Sequence, residues 1–260
     1  MTITIYQVDA FSDKPFGGNP AAVCVLDSWL SDHMMQDIAG ELNLSETAFC
    51  VKEEDQYHLR WFTPVDEVRM CGHATLATGH IFFTELDYKE DSISFQTKSG
   101  ELTVAKLSEG HYKMTLPTDE VLVVFYEDGL DKLNIDYESV FVGKDDYLMI
   151  LKDESEVLKA RPDFKAISKL DKRGVIITAK GDEADFVSRC FYPALGIDED
   201  PVTGSAHTLL TPYWSRRLSK NDLHAKQLSK RGGELTCQLK GEKVNISASA
   251  RTIIKGSLYL

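Results

Sequence analysis

The N-terminal residues Met1-Thr2-Ile3-Thr4-Ile5-Tyr6-Gln7-Val8-Asp9 alternate apolar and polar side chains in steps of two, the period of a strand with one buried face. Strands are predicted over 3–10 and 20–26, ahead of a helix from about Asp32 to Leu42 with Ser31 as its N-cap. Further strands near 46–52 and 57–62 precede a helix from Gly72 to about Leu86, and strands near 92–97, 101–107 and 112–116 follow it. The second half predicts strands near 138–143 and 147–152, a helix from Pro162 to about Lys172, and strands near 175–179 and 185–191. A long helix then opens at Gly204 and meets Pro212, where a kink is expected, and strands near 234–240, 243–249 and 253–260 end the chain. The helix opening at Gly72 carries Ala74, Leu76, Ala77, Ile81, Phe82 and Phe83 around most of its circumference. Such a helix belongs at a domain centre, with strands wrapped around it.

The order of elements repeats, and so do short strings of residues. Arg60-Trp61-Phe62-Thr63-Pro64 matches Arg189-Cys190-Phe191-Tyr192-Pro193 at an offset of 129. Cys71-Gly72-His73-Ala74-Thr75 faces Thr203-Gly204-Ser205-Ala206-His207 at 132, and Gly100-Glu101-Leu102-Thr103-Val104 faces Gly233-Glu234-Leu235-Thr236-Cys237 at 133. Three matches in one order, drifting only by small insertions, predict a duplicated design. The expectation is two α+β domains, 1–118 and 119–260, facing each other across a cleft. The last strand, about 252–260, is allowed to cross back to the first domain, and the stretch from Pro117 to Asp136 is the expected crossing between halves.

Composition narrows the function classes. The 260 residues carry 29 Lys+Arg against 41 Asp+Glu, a formal charge of −12, and no basic run longer than a pair. Nucleic acid and anionic membrane are therefore not expected partners, since both need local positive charge. The start lacks the basic and apolar regions of a signal peptide, and no window approaches ~18 uninterrupted apolar residues. Five cysteines, odd in number and without a CxxC pair, argue against a disulfide framework or a structural zinc site. A soluble, reduced, cytoplasmic protein is expected.

The candidate chemistry gathers at the two matched turns. A helix N-terminus presents unpaired N–H groups and partial positive charge, which suits a carboxylate, and Gly72 and Gly204 allow close approach to the backbone. His73 lies in one first turn; Asp200 precedes the other in Glu199-Asp200-Pro201-Val202-Thr203-Gly204-Ser205. Glu46, in Asn43-Leu44-Ser45-Glu46-Thr47-Ala48-Phe49, enters a largely apolar strand, where burial would raise its pKa and fit it for proton transfer. A solvated strand end or a capping contact explains Glu46 equally well. An offset of 129 leads from Glu46 to Val175, so the duplication is chemically asymmetric. Cys71 is read as a small buried residue rather than a nucleophile, because Thr203 stands at its counterpart. No metal is expected, as His73 and His80 are seven apart and no HxxxH or HxH cluster occurs. No P-loop and no GxGxxG after a strand occurs, so no nucleotide cofactor is indicated. Phe16-Gly17-Gly18-Asn19-Pro20 reads as a turn, with Asn19 a candidate to line the cleft.

Several of these strings resemble the PhzF family of phenazine-biosynthesis isomerase-like proteins. They are Asp9-Ala10-Phe11, Gly18-Asn19-Pro20-Ala21-Ala22-Val23, Ser45-Glu46-Thr47-Ala48-Phe49, Cys71-Gly72-His73-Ala74-Thr75 and Asp200-Pro201-Val202-Thr203-Gly204-Ser205-Ala206. The resemblance implies the diaminopimelate epimerase-like fold: two similar domains, each a mainly antiparallel sheet around a central helix, assembled as a homodimer. It also implies cofactor-free isomerisation of a small carboxylate substrate, with Glu46 shuttling a proton, His73 and Asp200 orienting or polarising the substrate, and Gly72 and Ser205 binding it. The more distant epimerases and racemases of this fold use a facing cysteine pair, of which this chain has only Cys71. An epimerase or racemase of a small acid, and a non-catalytic small-acid-binding protein, are the alternative readings.

Overall fold

A computed structural model of the chain describes residues 1–124 and 129–260. It divides into two compact units, Met1–Thr115 with Ser247–Leu260, and Leu116–Ile246. The crossing expected over 117–136 falls partly on residues 125–128, which lie outside the described residues.

The first unit runs β1 (Thr2–Ala10), β2 (Asn19–Leu26), α1 (Asp32–Leu42), β3 (Glu46–Glu53), β4 (Gln56–Phe62), β5 (Glu67–Val68), α2 (Gly72–Thr84), β6 (Ser92–Thr97), β7 (Gly100–Ser108) and β8 (His111–Pro117). Helix α1 begins as its sequence dictates, with the Ser31 side chain accepting the Met34 N–H, and it ends at Asn43 in a left-handed conformation. Its apolar stripe of Met35, Ile38 and Ala39 packs on Ile3, Cys24, Phe49 and Phe62 of the sheet. Helix α2 is buried along its whole length apart from its last residue, Thr84. It lies against β1, β2, β3 and β7. Gly79 is what lets β7 come so near, since a Cβ there would stand 2.7 Å from Val104 Cγ1.

The second unit contains β9 (Leu122–Val123), β10 (Ser139–Val142), β11 (Asp146–Ile150), α3 (Glu154–Lys159), α4 (Phe164–Ile167), β12 (Gly174–Lys180), β13 (Phe186–Tyr192), β14 (Ile197–Asp200), α5 (His207–Leu218), β15 (Asp222–Gln227), β16 (Gly233–Lys240) and the start of β17 (Lys243–Tyr259). The helix expected over 162–172 is only the short α4, opened by Asp163, which accepts the Ala166 N–H. A second short helix not expected from the sequence, α3, precedes it, opened by Asp153, which accepts the Glu156 N–H. Helix α5 starts at His207 rather than Gly204, because residues 204–206 form a tighter turn in which the N–H groups of 207, 208 and 209 bond three residues back. Pro212 does sit inside α5. The carbonyl it cannot bond, that of Thr208, accepts the Asp119 N–H at 3.0 Å, so the proline leaves no buried orphan there.

Strand β17 is continuous where two strands were expected. It pairs antiparallel with β1, and the predicted break corresponds to a bulge at which Gln7 faces Ile254 and Val8 faces Thr252. Pairing follows one scheme in both units: β2 runs parallel to β3 and β3 antiparallel to β4, as β11 runs parallel to β12 and β12 antiparallel to β13. Further along, β4 is parallel to β6 as β13 is parallel to β15. The duplicated arginines do matching work. Arg60 makes a two-pronged bond to Glu67 on β5, and Arg189 makes one to Glu199 on β14.

Candidate active site

In the first unit the parallel pairing of β2 and β3 places their starts, Asn19 and Glu46, at the same end of the sheet. Asn19 is fully buried and pairs in register with Ala10, and the turn before it is glycine-dependent. Gly18 has φ +65, and a Cβ there would fall 2.1 Å from the Ala10 carbonyl oxygen. The Asp9 carboxylate accepts the Phe16 N–H at 2.9 Å and fixes the same turn.

Three side chains meet at the start of α2. Glu46 Oε2 lies 3.2 Å from His73 Nε2, with side-chain exposures of 14% and 6%. On the other side of the ring, Cys71 Sγ is 3.5 Å from His73 Nδ1. Glu46 and His73 are close without being aligned for a hydrogen bond to each other. Burial drives the His73 imidazole down to a pKa of about 3, so the ring is neutral at physiological pH. A neutral ring has one donor and one acceptor nitrogen and can face a carboxylate, a carboxylic acid or a substrate without carrying charge. Cys71 occupies the cap position of α2 but makes no side-chain cap bond, so it leaves the first-turn N–H groups uncapped by its side chain. One donor atom from each of Glu46, Cys71 and His73 lies within 4.8 Å of the other two, a set able to hold a divalent metal. Spacing along the chain could not reveal it, because Glu46 comes from β3 while Cys71 and His73 lie at the start of α2.

The second unit gathers a different set. Asp200 ends β14 and is buried; its Oδ2 accepts the Thr203 hydroxyl at 2.5 Å. Gln227, fully buried at the end of β15, clamps the turn by accepting the Thr203 N–H at 2.9 Å and donating to the Asp200 carbonyl at 2.9 Å. Ser205 is half-buried, and its Oγ accepts from Arg173 Nη2 at 3.3 Å. Arg173 is held by two bonds to Asp146, 3.0 Å from Nε to Oδ1 and 2.5 Å from Nη2 to Oδ2. At His207 the ring Nδ1 sits 2.8 Å from the Thr203 carbonyl, just as the Thr75 hydroxyl donates to the Cys71 carbonyl at 2.6 Å.

Glu46, Gly72 and His73 thus form one group in the first unit, with Asn19 beginning the strand beside that of Glu46. Asp200, Gly204 and Ser205 form another in the second. The register also corrects the counterpart of Glu46. Thr47 pairs with Phe62 and Val175 with Phe191, so Glu46 corresponds to Gly174, one residue before Val175. A side chain at 174 has no room, since a Cβ would meet the Phe191 carbonyl oxygen at 2.2 Å and the Tyr192 ring at 2.3 Å. Arg173, Asp146 and Gln227 were not singled out from sequence. Aligning the halves by strand partner instead of by offset brings Ser45-Glu46 over Arg173-Gly174 and points to the arginine.

The family model of the phenazine biosynthesis-like proteins matches residues 8–256. The chain belongs to the PhzF family. An uncharacterized isomerase of Pseudomonas aeruginosa is 48% identical over 261 residues, covering the whole of both chains. The crystal structure of a PhzF-family phenazine biosynthesis protein from Enterococcus faecalis superposes with a TM-score of 0.95 at 46% identity, again over all of both chains. A probable proline racemase from Agrobacterium radiobacter, with a TM-score of 0.68 at 10% identity over 99% of this chain and 93% of its own, shares the fold alone. Within this family the chain is an isomerase, on a sheet-rich fold shared with epimerases and racemases.

Proposed function

We propose that this protein is a cofactor-independent isomerase that moves a proton within a small carboxylate-bearing molecule, on two units built to one duplicated design. The observation that carries the reading is Glu46 Oε2 at 3.2 Å from His73 Nε2, at the opening of a buried helix whose cap residue gives it no side-chain bond. Glu46 takes a proton from carbon, leaving its bonding pair to shift through an adjacent π system, and returns that proton to another carbon of the same molecule. His73, neutral, orients the reacting group by hydrogen bonding. Had it been cationic, it would pair with Glu46 and weaken it as a base. Gly72 and the α2 N-terminus favour the substrate's carboxylate. Asp200 is the second polarising residue, with Gly204, Ser205 and Asn19 as binding residues. One recycled proton needs one carrier, which suits a duplication whose second copy has Gly174 where the first has Glu46.

The test is Glu46→Gln, assayed by proton NMR on cyclic unsaturated hydroxy- and amino-carboxylates in deuterium oxide. The wild type is expected to shift the double bond while retaining some protium at the receiving carbon, and the variant to fold and lose activity by ~100-fold or more. A variant that isomerises at the wild-type rate removes Glu46 from the mechanism. Cys71, 3.5 Å from His73, favours a second reading as a one-thiol epimerase. Complete deuterium incorporation at an inverted stereocentre would establish it instead.

A further inference from the structure

The parallel pairing of β11 and β12 sets Asp146 beside Gly174, so that Arg173, one residue earlier, reaches the buried Asp146 carboxylate with the Nε–Nη2 edge of its guanidinium. The group also lies over the Tyr192 ring, 4.8 Å from its centroid. The same ring lies against Gly174, where any side chain would displace it. The backbone adds a further tie, with the Arg173 N–H donating to the Asp145 carbonyl at 2.8 Å. A guanidinium fixed on one edge and one face has little freedom left, and its remaining Nη2 hydrogen is aimed at Ser205 Oγ, 3.3 Å away. A serine hydroxyl has one hydrogen and two lone pairs. Since Arg173 has no acceptor, Ser205 must be the acceptor in this contact, which leaves its single O–H free to point elsewhere and makes it a stronger donor.

We propose that Arg173, locked by Asp146, is a positioning residue that fixes and polarises the Ser205 hydroxyl as a donor to the substrate's carboxylate. This rests on the reading above that Ser205 binds the substrate. The pair adds no net charge, because Asp146 cancels Arg173, so what reaches the ligand is a directed O–H rather than a cation. The first unit has His73 at the place of Ser205 and Ser45 at the place of Arg173, so the device belongs to the second unit alone.

Benzoate, a small planar carboxylate on an unsaturated six-membered ring, serves as the probe, its affinity measured by titration calorimetry on the intact chain. Ser205→Ala is expected to weaken binding about tenfold, the loss of one hydrogen bond to a charged group. Arg173→Met is expected to weaken it by a similar factor, and the double variant no more than either alone. Because Arg173→Met leaves Asp146 buried and unpaired, the paired change Asp146→Asn with Arg173→Met provides a second route that removes both charges together. A merely structural Arg173 would still cost affinity in the Ser205→Ala background, and that result overturns the proposal. So does wild-type affinity in the Arg173→Met protein while Ser205→Ala is impaired, which leaves the substrate-binding reading of Ser205 intact. No effect from Ser205→Ala, or no benzoate binding by the wild type, overturns that reading and the proposal with it.

Discussion

Acidification is expected to unfold this protein through three histidines rather than through its many surface carboxylates. His73, His80 and His207 are buried, and burial pushes them down to about 3, about 4 and about 4. His80 is wedged between Tyr112 Oη at 2.8 Å and Thr252 Oγ1 at 2.9 Å, while His207 rests on the Thr203 carbonyl and beside the Phe186 ring. In the unfolded chain each titrates near 6.5. Between pH 6.5 and about 4 the unfolded state therefore binds three protons that the folded state refuses, so stability is full above 6.5 and falls as pH falls. The slope is about 1.4 kcal/mol per pH unit for each ring, about 4 for the three. By pH 5 the loss is about 6 kcal/mol, comparable with the whole stability of an ordinary domain. Urea denaturation followed by circular dichroism at half-unit pH steps from 7.5 to 4.5 measures the slope directly. His80→Gln removes one proton-binding site and should lower the slope by about a third, whatever it does to stability at neutral pH. A flat profile between pH 7 and 5, or an unchanged slope in that variant, would refute the assignment of these rings as neutral and buried.

Two packing predictions separate interior from surface. Arg189 is buried and donates to the Val157 and Ala160 carbonyls as well as to Glu199, so Arg189→Met should cost about 3–5 kcal/mol in thermal or urea unfolding. Arg60, at the matching place but more exposed and bonded only to carboxylates, should cost about 1 kcal/mol on the same change. Gly79→Ala would gain about 1 kcal/mol in an open helix, but the new Cβ meets Val104 at 2.7–2.9 Å, so a net loss of about 1–3 kcal/mol is expected. Adding Val104→Ala should recover part of that loss, and a purely additive double-variant cycle would contradict the contact.

The sequence was most readable where one residue type answers to one local force. The Ser31 cap, the all-round apolar surface of α2 and the alternation of β1 each survive into the structure because nothing tertiary competes with them. Between 150 and 175 the chain holds two aspartates able to start a helix and a proline between them, and the local pattern could not say that both caps are used. Strand β15, Asp222-Leu223-His224-Ala225-Lys226-Gln227, escapes prediction because its buried face is only Leu223, Ala225 and the polar Gln227, too weak an apolar alternation to read as a strand. Its stability comes from pairing with β13 and β16, which are distant in sequence. At the site, the turns carrying Gly72, His73, Gly204 and Ser205 were legible because the duplication prints them twice. Arg173 and Asp146 were not, since their strand entry has no counterpart in residue type and becomes visible only through strand register.

The formal charge of −12 sharpens what the site has to do. At long range such a chain repels a small acid, and screening reduces that repulsion beyond about 8 Å at physiological salt. At short range, neither the buried imidazole of His73 in the first unit nor the Asp146-bound guanidinium of Arg173 in the second offers a net positive charge. On the function proposed above, capture falls to oriented groups: in the first unit the first-turn N–H groups of α2, and in the second a serine hydroxyl with its lone pair already engaged. This division has a chemical consequence. A lysine or an unpaired arginine beside Glu46 would hold its carboxylate ionised and make it a poorer base, whereas dipoles can hold the substrate's carboxylate without forming that ion pair.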